Sequence, residues 1–424
     1  MRLIIALAAV CLSIPAQDVL VLQNAVIHPV SRPDIARGAI VINGDRIQEV
    51  GEKVRLPRGA RIMDLKGLHV YPGLVNAATE LGLVEISAVT ETRDLAELGD
   101  FNPQLQVAGA INPASEHIPV VRANGITAAL TRPLGGILSG RAALIHTHGW
   151  TWEEMLIERH AAMAMQFPTL RFTPAEGRPP QSPPTLADRR RRYEERLREL
   201  RQFFADARRY AVAKKEGARD FRPDLKFEAM LAVLDGNLPL LIEAQRAPEI
   251  RAALDFAERE QVKIILANVR DPGDHVQRIA KLKIPVLLST LELPLHEDDP
   301  YDAAFTLPAQ LHAAGIKIAF GSFSSSGGPA VQFARNLPYQ AAQAVAFGLP
   351  YDVALRAITL SPAEIFGVAD RIGSIEKGKW ADLIVTDGDP LEVRTQLLHV
   401  FIKGREVSLD NRHKRLYEQY RTRP

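Results

Sequence analysis

The chain has 424 residues, 46% of them hydrophobic and 24% charged, with a formal net charge of +2. That length allows one large α/β domain with a smaller one beside it, and the near-neutral balance excludes the electrostatic footprint of a nucleic-acid binder. A single cysteine, Cys11, excludes a disulfide framework.

Residues 1–16 read as a signal peptide, with Arg2 as a minimal basic start, an apolar run over 3–14 and a small residue, Ala16, for cleavage before Gln17. The expectation is an exported protein, periplasmic or extracellular, whose mature form lacks Cys11. No later stretch is long and apolar enough for a membrane span. Residues 18–70 are strand-rich. Segments 39–42 and 46–50 flank Asn43-Gly44, a pair that suits a type I′ hairpin turn. Residues 371–410 are similar, with Lys403-Gly404 between two further strands. Segments 17–71 and 369–412 are therefore expected to form one composite β-sandwich domain, completed when the two ends meet.

Between them, over 72–368, short apolar runs alternate with helical stretches. The runs 126–130, 142–145, 238–242, 262–266, 284–288 and 316–320 predict buried strands, and 248–260, 276–282 and 337–347 predict helices. This alternation predicts a parallel sheet closed into a TIM-like (β/α)8 barrel. A charged helical insertion at about 180–217 interrupts it, opening on Pro179, Pro180, Pro183 and Pro184 and running as one helix over 186–216. Its Arg189-Arg190-Arg191-Arg192 run is interleaved with Glu194, Glu195 and Glu199, which marks a solvated helix face. The chain closes on a basic tail, 413–424.

Three segments carry a resemblance. Gly67-Leu68-His69-Val70-Tyr71-Pro72-Gly73-Leu74 leads into Val75-Asn76-Ala77-Ala78-Thr79-Glu80. Near the other end stand Thr359-Leu360-Ser361-Pro362-Ala363 with Gly367, and Gly373-Ser374-Ile375-Glu376-Lys377-Gly378-Lys379-Trp380-Ala381-Asp382-Leu383. Together they resemble the amidohydrolase superfamily, and among its groups the secreted, imidazolonepropionase-like amidohydrolases. The resemblance implies a (β/α)8 barrel beside a composite β-sandwich and hydrolysis of carbon–nitrogen bonds other than peptide bonds. It also implies one or two divalent ions, often zinc, which activate a bound water.

The ligand positions do not follow. Intact members run Pro-Gly-Leu-Ile-Asp-Ala-His-x-His; here the two histidine positions are Ala78 and Glu80. The histidine implied after 240–242 is Glu243, that after 264–266 falls at Ala267 or Asn268, and the aspartate implied after 318–322 is Phe323. The middle-strand ligand has no match. No metal or other cofactor is expected, and the barrel mouth is expected to be lined by Ala78, Glu80, Glu243, Gln245, Asn268, Ser322, Phe323 and Ser324.

Two rebuilt sites remain open. Glu80 and Glu243 could serve as acid and base, or bind a hard cation; the plainer reading has them hydrogen-bonded to Gln245, Asn268 and Ser322. His146-Thr147-His148 is a His-x-His on another strand; the plainer reading is a strand end with two hydrogen-bonded histidines. His296 sits in an acidic loop with Glu297, Asp298 and Asp299, read as solvated. The stretch 322–328, rich in Ser and Gly, could hold an anion or be flexible loop. No Gly-x-Ser-x-Gly elbow supports a serine hydrolase.

Three functions follow: a barrel that binds a small ligand without hydrolysing it, an active carbon–nitrogen hydrolase with a rebuilt site, or a structural partner in a homo-oligomer. Nucleic acid is not an expected partner. Loops 85–117 and 290–305 would set specificity.

Overall fold

The computed structural model describes residues 19–170, 184–291, 299–323 and 330–423. The signal segment, most of the proline-rich entry to the insertion, the acidic loop around His296 and the run 324–329, which includes Ser324, lie outside them.

Two eight-stranded sheets carry the fold. The first is built from both ends of the chain. Strands β1 (Val19–Ile27), β2 (Ile35–Asn43) and β3 (Arg46–Gly51) form a meander. β4 (Arg61–Asp64) and β5 (His69–Pro72) run parallel to β1. The second sheet follows in sequence as β6 (Leu74–Thr79), β7 (Ile126–Thr131), β8 (Leu138–His146), β9 (Leu156–Gln166), β10 (Leu240–Glu243), β11 (Ile264–Ala267), β12 (Val286–Leu288) and β13 (Ile318–Phe320). The chain then returns to the first sheet as β14 (Leu383–Thr386), β15 (Leu397–Ile402) and β16 (Arg405–Val407), with β14 antiparallel to β5. The two ends of the chain thus complete one sheet, as the two hairpin-rich segments suggest.

The turns differ in detail from the expected ones. Asn43 pairs with Arg46, so the central residues of the first hairpin are Gly44 and Asp45, and only Gly44 has positive φ. A type I′ turn needs positive φ at both. That geometry occurs in the last hairpin, where Lys403 and Gly404 have φ 48° and 71°.

The second sheet curls into a nearly closed barrel. β13 meets β6 through Ser322 N–H donating to the Ala78 carbonyl at 2.7 Å. Seven of its strands run one way. The exception is β8, antiparallel to both β7 and β9. The link from β7 to β8 spans only residues 132–137, too short for a parallel crossover, which needs a dozen residues or more. The barrel interior is filled by small and branched side chains, among them Val75, Ala78, Leu130, Leu144, Leu241, Ile265, Leu287 and Phe323. The insertion helix Leu186–Glu216 starts at Thr185, whose hydroxyl accepts the Asp188 N–H, and ends at left-handed Gly217. Leu200, Phe204 and Ala207 are its buried contacts with the barrel core. Among the described residues no helix is long and apolar enough to cross a membrane.

One glycine fixes how the two sheets join. Gly73 sits between β5 and β6, its N–H donating to the Asp382 carbonyl at 2.9 Å. A Cβ there would fall 2.0 Å from Thr127 Oγ1 and 2.7 Å from Thr127 Cβ. Gly73→Ala is therefore expected to lower stability by about 2–3 kcal/mol through overpacking, read as a shifted urea midpoint. Thr127→Gly in the same chain should recover most of the loss. A loss below about 0.5 kcal/mol would show that the junction is looser than the close approach implies.

Candidate functional site: an ion cluster at the barrel mouth

The C-terminal ends of the parallel strands converge on one buried cluster. β6 ends at Thr79 and delivers Glu80, fully buried. β7 ends at Thr131 and delivers Arg132, 6% exposed, its backbone N–H bound to the Thr79 carbonyl at 3.0 Å. β10 ends on Glu243, β11 delivers Asn268, and β13 delivers Ser322 and Phe323.

Arg132 organises them. Its Nη1 donates to Glu243 Oε2 at 3.1 Å, and its Nη2 lies 3.1 Å from Glu80 Oε1. The second contact is an ion pair without hydrogen-bond alignment, because Glu80 Oε1 has no hydrogen-bond partner among the described residues. Glu80 Oε2 accepts the Ala330 N–H at 2.9 Å. Asn268 Nδ2 donates to Glu243 Oε1 at 2.8 Å; it does so from a left-handed backbone, φ 57°, which asparagine tolerates better than most residues. The Phe323 ring takes the guanidinium over its face at 5.2 Å from the centroid. Arg132 Nε and Thr79 Oγ1 are buried without a hydrogen-bond partner among the described residues.

One guanidinium thus answers two carboxylates. Burial pushes the Glu80 carboxyl above its ordinary value, and the Glu243 charge pushes the same way; Arg132 and the Ala330 N–H oppose them.

The expected mouth residues divide. Glu80, Glu243, Asn268 and Phe323 lie together around Arg132. Ser322 belongs to a neighbouring contact, its Oγ accepting from Asn76 Nδ2 at 3.0 Å. Gln245 is anchored through its backbone, its N–H donating to Glu249 Oε2 and its carbonyl accepting the N–H groups of Arg270 and Asp271. Ala78 lines the barrel interior against Phe323 and Gly321.

His146 and His148 lie elsewhere. β8 runs against β7, and His146 pairs with Ala128 near the start of β7, which puts both histidines at the end of the barrel opposite Glu80. His146 is fully buried, its Nε2 2.8 Å from Asp382 Oδ2 and its ring tilted against Trp380. His148 is exposed, its pKa lowered by burial of part of the ring and by Arg122 and Arg405. His146 therefore fastens the barrel to the segment that leads into β14, and neither histidine joins the mouth carboxylates. Arg132 is the functional residue that reading the motifs missed. Its signal in the sequence is a charged residue directly after the apolar run 126–131 and directly before Pro133.

The superfamily's metal does not fit this donor set. Ala78 and Phe323 have no coordinating atom, the Asn268 amide is engaged with Glu243, and both carboxylates face a fixed guanidinium. A divalent ion there would meet Arg132 as a like charge. Among the described residues no three His, Cys, Asp or Glu side chains gather as a metal centre would require.

The fold has close counterparts. The chain aligns with an amidohydrolase of Thermotoga maritima MSB8 at 26% identity and a TM-score of 0.78, covering 92% of this chain and 99% of that one. The amidohydrolase family model matches residues 274–407. The chain belongs to the amidohydrolase superfamily. A curated relative, amidohydrolase tasK of Hapsidospora irregularis, is 23% identical over 391 residues, which are 87% of this chain and 39% of that protein. This chain thus spans about two-fifths of that relative's length. Molinate hydrolase, 15% identical with a TM-score of 0.55 over 93% of this chain and 95% of that one, shares the fold alone. Membership of the superfamily brings the barrel and the composite sheet.

Proposed function

We propose that this protein is a non-catalytic member of the amidohydrolase superfamily that binds a small ligand at its barrel mouth. The observation that carries this reading is Arg132 lying 3.1 Å from both Glu80 and Glu243, where family resemblance calls for metal ligands. An internal cation neutralises the strand-end carboxylates and holds four strands together. Glu243, with 18% of its side chain exposed, is the member of the ion triad most open to solvent and the one a ligand would meet. The alternative, a hydrolase rebuilt on Glu80 and Glu243, asks Glu80 to exchange protons with a substrate. Its complete burial and its commitments to Arg132 and Ala330 argue against that role. We also propose export, on the apolar run and small residue of the first sixteen positions.

One preparation tests these points. The mature protein is purified, washed with chelator, reloaded with zinc or manganese and analysed for metal per chain. The expected result is far less than one ion retained and no hydrolysis of amide or urea substrates after loading. One ion per chain surviving the wash would overturn the non-catalytic reading. Sequencing the N-terminus of that preparation should find Gln17 first; an unprocessed Met1 would count against export.

A further inference from the structure

The barrel has a second opening, at the end away from Glu80. A cleft of about 830 Å³ lies there, bounded by the first half of β9, the turns that lead into β10, β11 and β12, and the end of the helix Leu360–Ile365. Small-molecule sites span roughly 300–1,000 Å³. Strands β9 to β12 run parallel, so this cleft sits at their N-terminal ends, whereas Glu243 stands at a C-terminal end.

Its floor is apolar. Ala161, Ile265 and Phe366 belong to the cluster that fills the barrel interior, and Val262, Ile264 and Ile284 to the larger cluster outside it. All six are at most 9% exposed.

Its charges are unevenly committed. Each lining carboxylate already has a basic partner from outside the cleft: Glu158 has Arg371 at 3.0 Å, Glu258 has Arg278, and Glu364 has Lys317 at 2.8 Å as well as Arg356. The ammonium groups of Lys263 and Lys283 have no ion pair or hydrogen bond among the described residues. The Lys263 Cε and Nζ lie 3.6 and 3.9 Å from where a Cβ on Gly236 would sit, so its stem lies across the turn before β10. Lys283 follows the helix Val276–Lys281 in a left-handed backbone, φ 54°, directly before Ile284. His160 adds to the basic wall. Its Nε2 lies 3.1 Å from Gln106 Oε1, and burial, then Arg141 and Arg159, lower its pKa.

Such a cleft suits a ligand that is negative at one end and apolar along the rest. A cation would meet both lysines as like charges. A wholly apolar ligand would crowd their ammonium groups without pairing them.

We propose that this cleft is a second binding site, which takes one amphipathic organic carboxylate, its apolar body on Ile265 and Phe366 and its head on Lys263 and Lys283. The inference does not depend on the reading of the mouth, since it uses no residue of the ion cluster.

The full chain would be titrated calorimetrically with decanoate below its micellar concentration, with decyltrimethylammonium, which has a matching chain and a cationic head, and with acetate. One decanoate per chain is expected, with the cation at least tenfold weaker and acetate giving no measurable heat. Each charge-assisted contact should be worth roughly tenfold, so Lys263→Met with Lys283→Met should weaken decanoate binding by well over tenfold. Asn237→Trp, on the exposed turn at the cleft edge, should abolish it by filling the space. Both variants should unfold at the parent temperature, because the three replaced side chains are exposed. Absence of decanoate binding, several equivalent decanoates per chain, equal binding of the cation, or full binding by either variant would overturn the proposal.

Discussion

Replacing Arg132 by methionine is expected to lower the unfolding free energy by about 3–5 kcal/mol, the cost of stranding a buried charge partner. The loss should depend on pH. Burial holds the Glu80 carboxyl above its ordinary value of 4.5. A carboxyl raised in the folded state contributes stability that is complete below the unfolded value and lost as pH rises through the folded value. Arg132 limits that loss by drawing the folded value down. Without it the folded value climbs further, and the decline continues to higher pH. The variant should therefore lose more, relative to the parent chain, at pH 8 than at pH 5 in urea denaturation. Arg132→Met with Glu80→Gln removes the titrating group and should flatten the profile while restoring part of the stability. Arg132→Lys should fall between, because an ammonium is a point charge and cannot span two carboxylates as a planar fork does. A cost below 1 kcal/mol, or one that does not change with pH, would show that the cluster is not the electrostatic unit its distances describe.

Much of this arrangement was legible in the sequence where one physical rule dominated. The insertion helix was readable from 186 to 216 because its polarity, Thr185–Asp188 start and Gly217 stop all agree. The strands β7, β10, β11, β12 and β13 were readable because apolar runs of about five residues alternate with helices, and β6 through the resemblance of the segment around Pro72-Gly73-Leu74. β9 was missed because Glu158, Arg159 and His160, none of them buried, interrupt its apolar pattern. The antiparallel course of β8 was hidden by a pattern argument that counts runs and ignores how short the link before them is. The basic tail's helix, Arg412–Arg421, was missed because it buries nothing, so no core-facing stripe marks it. At the mouth, the altered ligand positions were visible through Ala78, Glu80, Glu243, Asn268 and Phe323, but only as losses. Arg132 converts them into an assembly, and no ligand motif reserves a place for it.

Phe323→Ala is expected to be the second costly change, at about 3–5 kcal/mol for a fully buried aromatic ring. The ring does more than fill space. Its Cε2 lies 2.9 Å from where a Cβ on Gly321 would sit, and that Cβ would also crowd Ala78 at 3.0–3.1 Å. The ring thus fits only because position 321 is glycine, and Ala78 beside it leaves little room for anything larger. The same ring supports the guanidinium of Arg132, which pairs with Glu80 and Glu243, the latter steadied by Asn268. Each altered position therefore presupposes another, and their effects should be strongly non-additive. Phe323→Asp, the residue the superfamily places there, tests this coupling. In a chain that had merely lost one ligand, it would improve metal retention. Here it adds a third carboxylate to a buried site with one guanidinium, which raises the Glu80 carboxyl further and leaves a cavity. The expected outcome is a protein destabilised at least as much as Phe323→Ala, most of all at high pH, with no gain in bound zinc. Tight zinc binding by the single Phe323→Asp variant would mean that the mouth is a nearly intact metal site after all.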